Sequence, residues 1–228
     1  FQVLRDFEGL SGHLHAYKVD VAKAMFEMCR ALGARLLLVC SSTSGHATGE
    51  TDTLVRDLQK LAMLAVPFGI RVAYEALSWG RYVHEYTRSW DLVRAADRPN
   101  LGLCLDSFHM LAGDSGLGPV AETDPRKVFL VQLSDFMWQV RSRDERIDTA
   151  RHFRVFPGGG VHSEQLADLV RRIDDMGYRG DYSFEVFNDD YRTLPLPMVA
   201  ERARRSVKWL TDQVSRRSLP PRRLTERG

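Results

Sequence analysis

Long apolar runs are missing from this chain. No stretch approaches the ~18 consecutive apolar residues of a membrane span, and the opening FQVLRDFEGL lacks the charged-then-apolar order of a signal segment. Cysteine is scarce: Cys29, Cys40 and Cys104 are an odd three without CxxC spacing, which argues against a disulfide framework or a structural zinc. An excess of either charge is lacking too. With 32 Lys and Arg against 30 Asp and Glu the net charge is +2, and the basic residues are scattered until the tail RRSLPPRRLTERG, so no basic stripe argues for nucleic acid. These absences predict a cytoplasmic protein in a reducing compartment that acts on a small molecule, with neither membrane nor nucleic acid as partner. At 228 residues, 44% apolar and 27% charged, the chain can bury one substantial core.

What is present is a repeat of apolar strand-like runs and amphipathic segments, at a spacing of roughly 30 residues that fits βα units and a parallel sheet. The strands expected are LLLVC (36–40), RVAYE (71–75), LGLCLD (101–106), VFLVQL (128–133) and YSFEVF (182–187), with FQVLRD as a further fragment. Their near-continuous apolarity implies burial on both faces. Helical periodicity runs through AYKVDVAKAMFEMCRAL, TDTLVRDLQKLAMLAV, YTRSWDLVRAA, SEQLADLVRRIDDM and MVAERARRSVKWLTDQV. Thr51 or Asp52 is expected to cap the second helix and Ser163 the fourth, while Gly33, Gly69 and Gly177 stand where helices must stop. The domain expected is a barrel over 1–212, followed by a basic, Pro-containing tail or linker over 213–228.

Four runs end in an oxygen ligand type: Glu75, Asp106, Gln132 and Glu185. On a parallel barrel all four meet at the C-terminal mouth, and carboxylate and amide oxygens suit hard divalent cations. Mn²⁺, Mg²⁺ or Co²⁺ is expected, with Zn²⁺ less favoured. His109, three residues beyond Asp106, is the candidate for proton transfer as base or acid, and Glu75 is counted as catalytic besides being a ligand. Between Gln132 and Tyr182 lie 49 residues, among them RSRDERIDTARHFRVFPGGG, a long loop of the kind that is usually functional. It carries Arg151, His152 and Arg154, and Arg154 suits bidentate carboxylate binding. Arg5 points at the same mouth if FQVLRD is a strand, or else pairs with Asp6 or Glu8. Ser78 and His152 complete the substrate-binding candidates. Asp135, Asp189 and Asp190 read as outer partners of the ligands or as loop caps. SSTSG (41–45) follows a strand and offers hydrogen bonds, and Trp79 and Trp138 either wall the pocket or pack in the core. PGGG (157–160) lacks the ending of a phosphate loop and reads as a turn.

The segments YEAL, LDSFH, VQLSD and FEVFND, with RDFEG and RHFRVFPGGG, resemble the xylose-isomerase-like TIM-barrel family, and more narrowly the bacterial 3-dehydroshikimate dehydratases, from Gln2 to about Trp209. The resemblance implies a (β/α)8 barrel whose first strands are not in this chain, and the metal ligands Glu75, Asp106, Gln132 and Glu185. Gln in the third place is its more specific feature, because sugar isomerases of this fold often carry His there. The implied reaction is metal-dependent dehydration of 3-dehydroshikimate to protocatechuate, with Arg154 and Arg5 on the substrate carboxylate. Some family members carry a dioxygenase-like domain after the barrel; it is absent from this sequence, whose basic tail would be the start of such a linker. A homo-oligomer is left open. The alternatives are a sugar isomerase or epimerase, in which the carboxylate-binding arginines have no work, and an inactive barrel fragment serving as a binding module, against which four intact ligand positions speak. An abasic-site endonuclease of related fold lacks its clustered His ligands and basic face here.

Overall fold

Apolar runs too short to fold alone become parallel strands when a helix returns the chain to the same end of the sheet after each one. The computed structural model describes residues 1–218. It contains β1 (Leu4–Arg5), α1 (Gly12–Ala31), β2 (Leu36–Cys40), α2 (Thr51–Ala65), β3 (Arg71–Glu75), α3 (Tyr86–Ala96), β4 (Leu101–Asp106), α4 (Ser107–Leu111), β5 (Val128–Leu133), α5 (Arg143–His152), α6 (Ser163–Asp175), β6 (Tyr182–Phe184), α7 (Asp189–Thr193) and α8 (Leu196–Ser218). The strands pair in chain order from β1 to β6, all parallel. This is a six-stranded arc of the (β/α)8 architecture. α8 continues past residue 212 to Ser218, and the remainder of the expected tail, 219–228, lies outside the described residues.

Alternation along the strands divides the core in two. Outward residues such as Leu37, Val39, Val72, Tyr74, Leu103 and Leu105 pack under the helices in one large cluster, with Phe26, Leu58, Leu61 and Leu92 among its helical members. Inward residues make a smaller plug of Leu38, Ala73, Cys104 and Phe129. Two residues further along the same inner face come Cys40, Glu75 and Asp106, and Gln132 follows two residues after Leu130, which packs on the plug. The register aligns Arg5 with Cys40, Cys40 with Glu75, and Asp106 with Gln132. Polar side chains thus crowd one end of the inner face, above an apolar floor.

Four strands, β2 to β5, run as the sequence predicts. The sixth does not: β6 stops at Phe184, short of the expected 187. Beyond it the chain changes partner. Glu185 N–H still donates to Leu133 O at 3.2 Å, but Phe187 O accepts from Arg154 N–H at 2.9 Å and the Asn188 side-chain amide donates to Arg154 O at 2.9 Å. The caps differ as well. Glu50 precedes α2 without a side-chain cap, and Thr51 Oγ1 accepts from Arg88 instead. His162 precedes α6, and Ser163 Oγ donates to Asp135 Oδ2 at 2.7 Å. Gly33, Gly69 and Gly177 do terminate helices, all at positive φ.

The long loop is more ordered than its sequence suggests, because α5 lies inside it, started by a capping box between Ser142 and Glu145. Asp135 then ties the PGGG turn down. Its carboxylate accepts from the backbone N–H of Phe136 (2.8 Å), Gly160 (3.1 Å) and His162 (3.1 Å). A Cβ on Gly160 would run into that carboxylate, which is why the turn tolerates no side chain there.

Candidate metal centre

Three of the four strand-end candidates are fully enclosed: Glu75, Asp106 and Gln132 are 3%, 2% and 2% exposed. Glu185 sits just past β6, its side chain 12% exposed. Ligand atoms of Glu75, Asp106 and His109 lie within 4.8 Å of one another. Asp106 Oδ1 caps the short helix α4 by accepting from Phe108 N–H at 2.7 Å. Its other oxygen, Oδ2, accepts from Arg154 Nη1 at 2.7 Å, and the same nitrogen is 3.4 Å from Glu185 Oε2. Glu75 Oε1 is buried without any hydrogen-bond partner.

Carboxylates packed this closely cannot all stay charged on their own. Burial, then the Asp106 charge, pushes Glu75 up to about 8, and burial with the charges of Asp106 and Glu75 pushes Glu185 up to about 9. Burial is the largest single influence on Asp106 and would raise it too, but the Arg154 guanidinium, His109 and the hydrogen bonds from Glu185 and Arg154 together outweigh burial and hold this acid low. A dication among these oxygens would discharge the repulsion, and the orphaned Glu75 Oε1 is an acceptor ready for it. The donor set fits a hard divalent cation. Gln132 faces the same end of the inner face through its register with Asp106.

His109 is held differently from a metal ligand. The backbone N–H of Ser78 donates to its Nδ1 at 3.1 Å, and Ser78 Oγ lies 3.1 Å from the same nitrogen. Nδ1 is therefore an acceptor, and the neutral ring keeps its proton on Nε2, which faces Glu75 Oε1 at 3.9 Å and Asp106 Oδ2 at 4.0 Å. A ligating imidazole instead needs a proton on its far nitrogen. Burial drives the His109 pKa down to about 3, against the Asp106 charge. The ring is thus a neutral donor at physiological pH, with Trp79 edge-on at 4.9 Å between ring centroids.

These groups open onto a cavity of about 600 Å³ lined by Glu75, Glu185, His109, Arg154, Arg5 and Trp79, with Arg151, His152, Thr43 and Arg192 around it. Arg154 reaches the centre, not a free position in a loop: it is 3% exposed, its Nε donates to Ala150 O, and the guanidinium lies over Phe108 at 4.7 Å. Its Nη2 makes no hydrogen bond among the described residues. Arg5 lines the cavity and pairs with neither acid proposed for it. Asp6 accepts from Thr43 N–H at 2.8 Å, and Glu8 is buried beneath Ser42 N–H and the Tyr74 hydroxyl.

Other candidates have structural partners. Ser78 orients His109 and does not line the cavity. His152 bonds Asp189 at 2.8 Å on the rim. Asp135 serves the PGGG turn and Asp189 serves His152, so neither touches a ligand, and Asp190 lies in the first turn of α7. Ser41 Oγ accepts from Leu77 N–H, while Trp138 packs on Phe153 away from the cavity. Arg192 went unnoticed in the sequence; its one signal is a cation in NDDYR just after the last ligand strand.

In the metal-free chain the carboxylate repulsion should show as a pH effect. A glutamate whose folded pKa is raised adds stability below its ordinary value of 4.5, and that stability is lost as pH climbs through about 8 to 9. His109 stays neutral above 6.5 and adds no slope there. Melting temperatures of metal-free protein are therefore expected to fall between pH 6.5 and 9, and Glu185→Gln should flatten that fall. Equal slopes in the two proteins would count against the crowded centre.

Residues 3–213 match the family model described as xylose isomerase-like TIM barrel. A 3-dehydroshikimate dehydratase of Pseudomonas aeruginosa is 40% identical over 213 residues, covering 93% of this chain and 33% of the relative. The chain thus spans about a third of that protein's length. A solved xylose isomerase-like TIM barrel/4-hydroxyphenylpyruvate dioxygenase fusion protein superposes with a TM-score of 0.89 at 37% identity, over 97% of this chain and 36% of the other. The structure of IOLI protein with a bound zinc atom shares the fold at 22% identity and a TM-score of 0.78, over 93% of this chain and 74% of the other. No helix among the described residues is long and apolar enough to cross a membrane. The chain belongs to the xylose isomerase-like TIM barrel family.

Proposed function

We propose that this chain carries out a divalent-metal-dependent dehydration of 3-dehydroshikimate to protocatechuate. The observation that carries the reading is one cavity in which the carboxylate cluster, a neutral histidine with its proton on Nε2, and arginine donors meet. A sugar isomerase would use the first two and leave the guanidinium groups without a carboxylate to hold. The dehydratase relative adds chemical identity to that arrangement.

The reaction removes the proton at C4, next to the C3 ketone, and expels the C5 hydroxyl as water; a further proton shift from C6 to the C3 oxygen completes the aromatic ring. A dication held by Glu75, Asp106, Gln132 and Glu185 would stabilise the negative charge that develops on the ketone oxygen. Mn²⁺, Mg²⁺ and Co²⁺ suit this oxygen-rich set, and the zinc of the IOLI structure keeps Zn²⁺ a candidate. The residues of the chain supply the rest. His109 holds its proton at Nε2 and donates it as a hydrogen bond to the departing hydroxyl, a donor role that follows from the Ser78 N–H on its other nitrogen; the hydroxyl leaves as water with the proton taken from C4, and the ring stays neutral. Glu75 Oε1 is the acceptor nearest to that proton. Arg154 Nη2 and Arg5 bind the ring carboxylate and fix which face of the ring meets His109, an alignment worth several kcal/mol or more. Trp79 forms a wall beside the ring.

The test incubates the metal-loaded chain with 3-dehydroshikimate and follows protocatechuate absorbance. Product should grow with metal and cease on chelation. A metal-loaded protein that forms none would sink the proposal.

A further inference from the structure

We infer that Cys40 and Cys104 are positioning residues for the cation centre, each holding a ligand side chain by donating its S–H. The inference rests on the proposed assignment of Glu75 and Gln132 as ligands and adds the outer contacts that orient them. Cys40 lies at the end of β2 with Sγ 3.0 Å from Glu75 Oε2, and Cys104, on β4, has Sγ 3.1 Å from Gln132 Oε1. The two residues are 6% and 2% exposed; Cys104 is enclosed in the apolar plug, and Cys40 borders the cavity beside Glu75. An amide oxygen carries no hydrogen, so in the second pair the thiol must donate. An ionised Glu75 leaves the same assignment for Cys40.

The contacts fix what the ligands can offer. With Oε2 of Glu75 tethered to Cys40, its Oε1 is the oxygen left without a partner. The Cys104 contact sets the amide of Gln132 with Oε1 engaged on one lone pair, leaving the other for a cation. Alternation along the strands explains how both sulfurs arrive there. Cys40 stands in register with Glu75 on the neighbouring strand, and Cys104, in register with Leu130 on β5, stands two residues before Asp106 on the same face, a diagonal step from Gln132, which pairs with Asp106. The third cysteine, Cys29, is buried on the core side of α1 and makes no such contact. It provides an internal control.

Space filling alone would make Cys, Val and Ala nearly equivalent at both positions. Orientation of a ligand would not: outer partners of metal ligands typically change affinity by about 10–100-fold, and a weak S–H donor belongs near the lower end. The test titrates Co²⁺ into the metal-stripped full chain and reads its visible absorption. Cys40→Val, Cys104→Val and the matching Ala variants should bind about 10-fold more weakly, with Cys40→Ser and Cys104→Ser recovering most of the loss through their hydroxyls. Cys29→Ala should bind like wild type. Melting curves of the metal-free variants identify any that fail to fold, and the Val variants, closest in volume, stand in for an Ala variant that does. Val and Ala variants that bind as tightly as wild type would overturn the inference while leaving the metal site intact, as would Ser variants no better than Val. A thiolate-to-cobalt charge-transfer band in wild type would overturn it by making the sulfurs ligands themselves. Wild type that takes up no Co²⁺ would remove the ligand assignment and this inference together.

Discussion

Asp106→Ala is expected to cost the protein its cation and about 3–5 kcal/mol of folding stability, the range for leaving one partner of a buried ion pair alone. Asp106 is wholly enclosed and accepts from Arg154 Nη1 at 2.7 Å, while Arg154 itself is 3% exposed. Without that carboxylate the one acid left within ion-pair distance of the guanidinium among the described residues is Glu185, 3.4 Å away and disposed by burial to hold a proton. The Phe108 N–H at the start of α4 loses its acceptor at the same time. Asp106→Asn keeps an oxygen for that N–H and nearly the same volume, so it should lose cation binding with a smaller stability cost. Urea unfolding of the metal-free proteins measures the first effect and metal titration the second. A metal-free Asp106→Ala protein within about 1 kcal/mol of wild type would show that Arg154 is not a buried charge dependent on Asp106.

His109→Ala should reduce turnover of 3-dehydroshikimate by about 10²–10⁴, the usual worth of a positioned proton donor or acceptor, with metal affinity close to wild type. The two readouts separate the roles open to this residue. As a ligand its removal would weaken the cation as strongly as Glu185→Gln. As a donor, fixed by Ser78 N–H on Nδ1, it contributes to the reaction step and not to the ground-state metal complex. Trp79 and Phe108 pack edge-on against its ring, so His109→Gln, which fills more of that space, guards against a packing artefact. Unchanged turnover in both variants would remove His109 from the chemistry.

The strands that place the ligands were legible because parallel strands buried on both faces have to be continuously apolar, and LLLVC, RVAYE, LGLCLD and VFLVQL are bounded as the structure bounds them. β6 was harder to delimit. Its sequence stays strand-like through Phe187, and only the tertiary contacts of Arg154 and Asn188 divert it after Phe184. Helix α5 has almost no apolar face, so periodicity could not find it; the Ser142 and Glu145 spacing of a capping box was the available signal. α1 begins at Gly12, four residues ahead of its periodic segment, through GHLH, which carries one apolar residue.

Residue identity at the site was legible in part. Strand-end positions bring Glu75 close to Asp106 and put Gln132 in register with Asp106, because side-chain alternation and parallel pairing carry all three to one end of the inner face. The partners of each group were not. Nothing in RHFRVFPGGG says that Arg154 turns inward to Asp106, or in EALSW that the Ser78 N–H selects the tautomer of His109. Those depend on how loops from different strands fold over one another, and the spacing of residues along a chain does not encode that.

The measurement that bears most directly on the centre is anomalous diffraction from crystals of the full chain soaked with Mn²⁺ or Co²⁺. One strong peak is predicted within about 2.0–2.3 Å of oxygens from Glu75, Asp106, Gln132 and Glu185, with Arg154 drawn away from Asp106 and His109 Nε2 outside the coordination sphere. Crystals that show no peak there, or a peak ligated by His109 in place of Gln132, would contradict it.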